Sequence, residues 1–260
     1  MAEIIVARDK AAAGEIVADH IAELVRSNPE TVLGVATGST PLPVYEALGA
    51  RADAGLDFSQ VRAYALDEYV GLPVEHPESY RSVITKEFVE RVGADPSRVH
   101  VPDGSLDRIE TAGERYESLL AESGGVDLQI LGIGTTGHIG FNEPGSSFGS
   151  LTRVKTLTEQ TRIDNARFFD SLDQVPIHCV TQGLGTILRA RHLVLLAFGA
   201  GKAEALAASV EGPVSSSMPG SAIQLHQHVT VVVDEEAAAR LENLDYYRWA
   251  AAHKPAWQGL

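Results

Sequence analysis

Short apolar runs alternate with longer stretches of helical periodicity along this chain, and that alternation constrains the fold more than any other feature. The first three segments are an apolar run at 3–7, a helical stretch at 11–27 and a second apolar run at 31–36. They predict a strand, a helix and a strand. Strands that are almost continuously apolar are typical of parallel sheets covered by helices on both faces. We therefore expect an α/β fold with a doubly wound, mostly parallel sheet flanked by helices on both faces.

The same alternation predicts the rest of the chain. Further strands are expected at 61–68, 126–134, 153–158, 192–199 and 229–235, with helices near 41–54, 79–92 and 105–123. No repeat or low-complexity linker interrupts the 260 residues, so we expect one catalytic domain over 1–260. The segment at about 157–182 joins a charged helical stretch to a turn at Val175 and Pro176, which favours a lid over a nearby cleft.

Charge and cysteine content limit the partners of the chain. Asp and Glu total 35 against 21 Lys and Arg, a formal net charge of -14, which opposes extended contact with nucleic acid or an anionic membrane. An anionic ligand would need a few locally placed cations. Cys179 is the only cysteine, which excludes a disulfide within the chain and favours a reducing, cytoplasmic location. No segment approaches the roughly 18 uninterrupted apolar residues of a membrane span.

Ligands of open parallel sheets bind at the carboxyl ends of the strands, and the segment ATGST (36–40) follows one such end. Gly38 allows close approach of an anion, and the Ser39 and Thr40 hydroxyls can donate hydrogen bonds at a helix N-terminus. The alternative is a capped strand-to-helix turn that binds nothing. The segment matches neither the P-loop nor the GxGxxG dinucleotide pattern.

Asp67 follows another apolar run directly. A carboxylate partly shielded from water can gain the basicity needed to remove a proton from carbon next to a carbonyl. A helix cap or a loop salt bridge is the alternative role for this side chain.

The most informative strand end is the glycine-rich strip at 132–148, which contains His138 and Glu143. Its glycines, Gly137 among them, permit unusual backbone angles and close approach of a ligand. The histidine can exchange protons near neutral pH, with Glu143 supporting its charged form. A plain loop histidine remains the alternative, and we expect no metal because the other histidines show no ligand spacing with His138.

Two cations complete the candidate site. Lys202 begins a predicted helix after the run at 192–199, where a cation can bind a phosphate together with the helix dipole. Arg167 can supply a bidentate phosphate contact. Each could equally be a solvated surface cation.

Six segments, taken together and in order, make the chain resemble the glucosamine-6-phosphate deaminase family from about residue 3 to about residue 247. LDEYVGL and GHIGFNEP are highly specific as a pair, whereas TGST and GKA are weak by themselves. The six segments are TGST (37–40), LDEYVGLPVEHPESY (66–80), GHIGFNEP (137–144), TRVKTLTEQTR (152–162), ARFF (166–169) and GAGKAEAL (199–206).

The resemblance implies a modified Rossmann-like fold and a reaction that needs no cofactor, an aldose-to-ketose isomerisation coupled to loss of the 2-amino group. His138 would assist opening of the sugar ring, Asp67 would move a proton between C2 and C1, and Glu143 would set the charge of the histidine. The substrate and its phosphate would be held by Thr37, Gly38, Ser39, Thr40, Gly137, Arg167 and Lys202.

The chain departs from the family pattern at Thr136, a position that is often Asp, or Asn in some members. A carboxylate at this position would support the charged form of His138. The Thr136 hydroxyl carries no charge, so the pKa of His138 should be lower than with an acid there. The resemblance also implies a second site for N-acetylglucosamine 6-phosphate between subunits of a homo-oligomer, with a solvated strand edge as the alternative. Its residues would be Ser146, Arg153, Lys155 and Thr156.

Three other functions stay open at this point. A 6-phosphogluconolactonase-like hydrolase would use a similar glycine-rich strip and phosphate contact but has no need of a proton-moving carboxylate at Asp67. A sugar-phosphate sensor would bind without turnover. A phosphosugar isomerase without deamination would share the first chemical steps.

Overall fold

The computed structural model describes residues 2–255 and 258–260. Among them, ten strands and a set of helices follow the order that the apolar pattern predicts, with two differences: the strand expected at 61–68 is divided into two, and two short strands are added at 99–100 and 178–181. The strands are β1 (Glu3–Ala7), β2 (Val32–Val35), β3 (Arg62–Ala65), β4 (Asp67–Tyr69), β5 (Val99–His100), β6 (Leu128–Gly132), β7 (Arg153–Thr156), β8 (His178–Thr181), β9 (His192–Ala197) and β10 (Val229–Asp234).

The helices cover both faces of the sheet and the site at its edge. They are α1 (Lys10–Ser27), α2 (Leu42–Asp53), α3 (Tyr80–Ile84), α4 (Glu90–Val92), α5 (Ile109–Glu122), α6 (Glu159–Asn165), α7 (Leu184–Ile187), α8 (Ala203–Val210), α9 (Glu235–Ala238) and α10 (Leu244–Ala252). A π-helical turn at Thr85–Val89 joins α3 to α4. No helix in the described ranges is long and apolar enough to cross a bilayer.

Seven strands form the main sheet in the spatial order β1-β10-β9-β6-β2-β3-β5, and each neighbouring pair is parallel. Its strands are apolar on both faces. In β9, Leu193 and Leu195 pack into the cluster that contains α5, α8 and α10. Val194 and Leu196 pack into the cluster that contains α1 and α2. Because side chains alternate across a strand, both layers are covered, and the predicted doubly wound fold is confirmed.

A second sheet of three antiparallel strands, β4-β8-β7, lies beyond the main one. It corrects the single strand predicted at 61–68. The Leu66 N–H still donates to Val35 O in the main sheet, whereas its carbonyl accepts from the Gln182 N–H beside β8. The chain therefore changes sheets at Leu66, and Asp67 pairs with Thr181 in the second sheet.

The range predicted for the lid, 157–182, contains short helical elements and also a hydrogen-bonded strand. It holds α6 and two short 3-10 turns, Ala166–Phe168 and Leu172–Gln174. It also holds β8, which the apolar pattern missed and which is the middle strand of the second sheet. A small apolar cluster joins the range to this sheet through Leu157, Tyr69 and Phe141.

Candidate active site

The glycine-rich loop after β6 is shaped to bring the His138 ring against the backbone. Gly134 N–H donates to His138 O at 2.9 Å. A Cβ on Gly134 would lie 2.3 Å from two atoms of the His138 ring, so only glycine leaves space for the imidazole. Gly137 has a φ of 78°, a left-handed conformation that favours glycine. The loop sequence thus encodes the placement of the histidine.

His138, Glu143 and Thr136 form one hydrogen-bonded group. His138 Nδ1 lies 3.0 Å from Thr136 Oγ1 and 3.3 Å from Glu143 Oε1. The Thr136 hydroxyl donates to Glu143 Oε2 at 3.0 Å, so its oxygen is free to accept from a protonated Nδ1. This arrangement places the ring proton on Nδ1 and leaves the Nε2 lone pair for a ligand.

Glu143 is buried, with 4% of its surface exposed, yet it is strongly stabilised as an anion. Burial opposes ionisation, but the hydrogen bond and charge of His138, with the Thr161 and Thr136 hydroxyls, outweigh it and lower the pKa of Glu143 to about 2. A third hydroxyl, that of Thr158, lies 3.4 Å from Glu143 Oε1. A carboxylate in this state supports a positive charge on the histidine.

Asp67 lies on β4, against the other side of the same loop. A Cβ on Gly140 would lie 3.5 Å from Asp67 Oδ2. Burial and the neighbouring charge of Glu68 raise the pKa of Asp67 to about 8, although the Thr181 hydroxyl and the Phe141 amide oppose the shift. A carboxylate with this pKa is a competent general base near neutral pH.

A pair of tyrosines connects Asp67 to the ATGST turn. The Tyr80 hydroxyl lies within hydrogen-bonding reach of Thr37 and of Tyr69, and Asn165 of α6 donates to the Tyr69 hydroxyl at 3.0 Å. Burial raises the pKa of Tyr69 to about 12, so the phenol stays neutral. Both tyrosines belong to the segment 66–80, in which the sequence reasoning considered only the carboxylates.

The ATGST turn presents its backbone at the carboxyl edge of the main sheet. Gly38 has a φ of 87°, and a Cβ there would meet nothing within 4 Å. Thr40 packs over Gly132, whose added Cβ would lie 3.6 Å from it. The turn therefore lies next to the glycine-rich loop and is open toward solvent at Gly38.

Lys202 and Arg167 lie near one another at the same edge. Burial lowers the pKa of Lys202, Asp164 opposes the shift, and the positive charge of Arg167 adds to it. The Arg167 guanidinium lies 4.7 Å from the centre of the Phe168 ring. Two cations that repel one another are poised to bind a shared anion.

The turn that carries Lys202 is held by a carboxylate from the neighbouring strand. The Gly199 N–H donates to Asp234 Oδ1 at 3.0 Å and to Oδ2 at 2.9 Å. Asp234 also caps α9 by accepting from the Ala237 N–H at 2.8 Å. Because β9 and β10 are neighbours, this bond ties the lysine turn to the sheet edge.

The four residues expected at a second site do not share one surface. Arg153 and Lys155 alternate with Val154 and Thr156 on β7, so the two cations share one face and Thr156 points to the other. The Thr156 hydroxyl lies 3.2 Å from His178 Nδ1. Ser146, which the resemblance groups with them, is buried and donates to Glu143 O at 2.7 Å.

Comparisons with known proteins identify the family of the chain. The family model described as glucosamine-6-phosphate isomerases/6-phosphogluconolactonase matches residues 8–232. A glucosamine-6-phosphate deaminase of Streptomyces coelicolor is 60% identical over 260 residues, covering 99% of this chain and 100% of the relative. One of Bifidobacterium longum is 58% identical over 270 residues and covers both chains in full.

Solved structures extend the similarity to the fold. A monomeric glucosamine-6-phosphate deaminase has a TM-score of 0.89 at 41% identity, covering 92% of this chain and 99% of that one. A 6-phosphogluconolactonase of Trypanosoma cruzi has a TM-score of 0.75 at 20% identity, covering 93% and 97%, and this likeness concerns the fold alone. The resemblance inferred from the six ordered segments is confirmed, and the chain belongs to the glucosamine-6-phosphate isomerase/6-phosphogluconolactonase family.

Proposed function

We propose that this protein is a glucosamine-6-phosphate deaminase, which converts glucosamine 6-phosphate and water into fructose 6-phosphate and ammonia. The observation that carries the proposal is the pairing of a basic, buried carboxylate, Asp67, with the His138–Glu143 group across one loop. Aldose-to-ketose isomerisation needs both a base for carbon and a proton carrier for the ring oxygens. The deaminases of the two bacteria named above, similar over their full lengths, support the same reaction.

In the first step the sugar ring opens. His138 Nε2 takes the proton of the anomeric hydroxyl and returns a proton to the ring oxygen, which breaks the C1–O5 bond. The imidazolium formed on the way is stabilised by Glu143, and Thr136 keeps the ring oriented through Nδ1.

In the second step Asp67 removes the proton from C2 and delivers it to C1. The bond electrons pass through an enolamine, so that C1 is reduced and C2 becomes an imine carbon. Water adds to this imine and ammonia leaves, which gives the ketose. The pKa of about 8 matches the demand on a base that must take and then return a proton.

The phosphate of the substrate is held at the sheet edge. The turn Thr37, Gly38, Ser39 and Thr40 supplies amides and hydroxyls at the start of α2, and Arg167 with Lys202 supplies the positive charge. Gly137 contributes through its backbone, since a Cβ there would lie 1.9 Å from Met218 Sδ. The reaction requires no cofactor, and one domain over 1–260 carries it out, with a lid at about 157–182 that excludes water from the imine until hydrolysis.

A site for N-acetylglucosamine 6-phosphate on Arg153 and Lys155 is a separate part of the proposal. The two cations on one face of β7 suit a phosphate; Thr156 on the opposite face and the buried Ser146 are not part of this site. Such a site between subunits requires a homo-oligomer. Activation by the acetylated sugar, together with the mass of the protein in solution, tests both statements. We also propose a cytoplasmic location, which agrees with the single buried cysteine.

Product analysis tests the main proposal. Purified protein is given glucosamine 6-phosphate, and ammonia and fructose 6-phosphate are measured; equal amounts of both are expected. Ketose phosphate retaining its nitrogen would indicate an isomerase, and binding without products would indicate a sensor. Hydrolysis of 6-phosphogluconolactone in place of deamination would indicate the lactonase chemistry found elsewhere in the family.

A further inference from the structure

The first turn of α6, in the segment proposed as the lid, reaches into the catalytic group. The Thr161 hydroxyl donates to Glu143 Oε1, and Thr161 is 3% exposed. The same oxygen, Oε1, lies 3.3 Å from His138 Nδ1. One carboxylate oxygen is therefore shared between the lid helix and the histidine.

Thr158 orders this contact. Thr158 caps α6 by accepting from the Thr161 N–H at 3.1 Å, and its oxygen lies 3.0 Å from Thr161 Oγ1. The cap and the donor are thus one connected chain that ends on Glu143, and hydrogen bonds in such chains strengthen one another. The contact exists only while the first turn of α6 is formed and seated.

The far end of α6 is attached to the opposite side of the site. Asn165 donates to the Tyr69 hydroxyl, and Asp164 is close enough to Lys202 to influence its charge. The helix α6 therefore lies against three parts of the site at once: Glu143 beside His138, the Tyr69 hydroxyl, and Lys202.

We infer that Thr161 is a positioning residue that couples the seating of α6 to proton transfer by His138, an inference that rests on the proposed deaminase function. A seated Thr161 draws part of the negative charge of Oε1 toward its own proton, which leaves less of it for the imidazolium. When α6 lifts, that charge returns to His138 and the ring holds its proton more tightly. Closure thus makes the histidine a readier proton donor.

The other groups around Glu143 do not account for such a coupling. Thr136 comes from the same loop as His138 and does not move with the lid. Cys179 of β8 faces Glu143 as well, but burial raises the pKa of its thiol well above the usual value, so it stays neutral. Within the described residues, Thr158 and Thr161 are the groups from α6 that donate to Glu143.

The test follows the His138 ring signals by NMR in labelled protein across pH, for the wild type and Thr161→Val. The variant keeps the shape of the side chain and removes the donor. We expect the titration midpoint of the ring to rise by less than about one pH unit, because removing a competing hydrogen bond leaves more of the carboxylate charge for the imidazolium. The acid limb of kcat/KM should move in the same direction, and Thr161→Ser should restore both.

Thr186→Val is the matched control. Thr186 of α7 also donates to a carboxylate, Glu117 Oε1 of α5, at 2.5 Å, and neither residue belongs to the His138–Glu143 group. The Thr186→Val variant should lose about as much stability as Thr161→Val. Its His138 titration should stay as in the wild type. An unchanged midpoint in Thr161→Val, with destabilisation equal to that of Thr186→Val, would show a structural role and overturn the inference. Absence of ammonia release by the wild type would instead overturn the proposed function, and the ring titration distinguishes the two failures.

Discussion

Asp67 and Glu143 are both buried carboxylates beside the glycine-rich loop, 6% and 4% exposed, and their surroundings drive them in opposite directions. Asp67 has the Thr181 hydroxyl at 3.5 Å, the Phe141 amide and the like charge of Glu68. Glu143 has His138 and three threonine hydroxyls. The pKa is about 8 for the first and about 2 for the second.

Burial alone therefore does not decide the state of a carboxyl group in this site; the number of donors aimed at it does. Two carboxylates with well-separated pKa values can divide a reaction between a base that exchanges protons and an anion that stays charged. Neutral variants of the two residues should lower kcat to different extents. One should raise the stability of the folded protein and the other should lower it.

Asp67→Asn tests the first carboxylate and should have the largest effect. It removes the base while keeping the shape, so kcat should fall by about 10²- to 10⁴-fold, the contribution of a positioned general base. KM should change little, since Asp67 is not a phosphate contact. Steady-state ammonia release measures both. A variant that kept its rate of ammonia release would show that Asp67 is not the base.

The stability of Asp67→Asn provides an independent check. The folded-state pKa of Asp67 is raised above its unfolded value, so the folded state binds the proton more tightly and loses relative stability as pH rises from about 4 toward 8. Asparagine has no such penalty. Melting at pH 8 should show the variant to be more stable than the wild type, and the advantage should vanish at pH 4.

Glu143→Gln tests the second carboxylate. The imidazolium of His138 loses its counter-charge, so kcat should fall by about 10²-fold, the lower end of acid-base contributions. The pKa of Glu143 is lowered, so its stabilising effect is present above the usual glutamate range and is lost as pH falls toward about 2. The glutamine variant should melt earlier than the wild type at neutral pH, opposite to Asp67→Asn. Equal signs for the two variants would contradict the comparison.

Arg167 contacts neither carboxylate, so Arg167→Ala should weaken substrate binding and leave the chemical step unchanged. It removes a charge-assisted contact that exists before and during the reaction, so KM for glucosamine 6-phosphate should rise by about 10- to 100-fold with kcat nearly unchanged. Initial rates over a wide substrate range provide the measurement. An unchanged KM would move the phosphate site away from Arg167.

Six strands of the main sheet were predictable from the sequence because they are buried on both faces and read as apolar runs, as β6 and β9 show; the two-residue edge strand β5 was missed. The second sheet was not predictable. Leu66 changes hydrogen-bond partners inside the single strand predicted at 61–68, and a change of partner leaves no mark in hydropathy. The strand β8 has only four residues and begins with the exposed His178, so it carries no periodic signal.

The candidate site was predictable where residues lie just after a strand or in the loop that follows it, as Asp67 after β3 and His138 after β6 do. Its lid contacts were not. Thr158 and Thr161 match the spacing of an ordinary helix cap, and their approach to Glu143, 15 and 18 positions earlier in the chain, depends on how α6 packs against the second sheet. A local pattern cannot report such a contact, because it is made by tertiary packing.

Thr136→Asp should have the smallest effect on rate and sharpens the comparison at the Glu143 side. An aspartate cannot donate to Glu143 Oε2 as the Thr136 hydroxyl does at 3.0 Å unless it is protonated. At neutral pH two carboxylates would face the ring, which favours the imidazolium and moves the acid limb of kcat/KM upward by less than about one pH unit. The peak rate should change by less than about tenfold, because the positions of His138 and Asp67 are retained. Thr136→Ser keeps the hydroxyl and should reproduce the wild-type profile. If Thr136→Asp leaves the acid limb in place, the limb does not report the His138–Glu143 group, and the division of roles between the two carboxylates would rest on Asp67 alone.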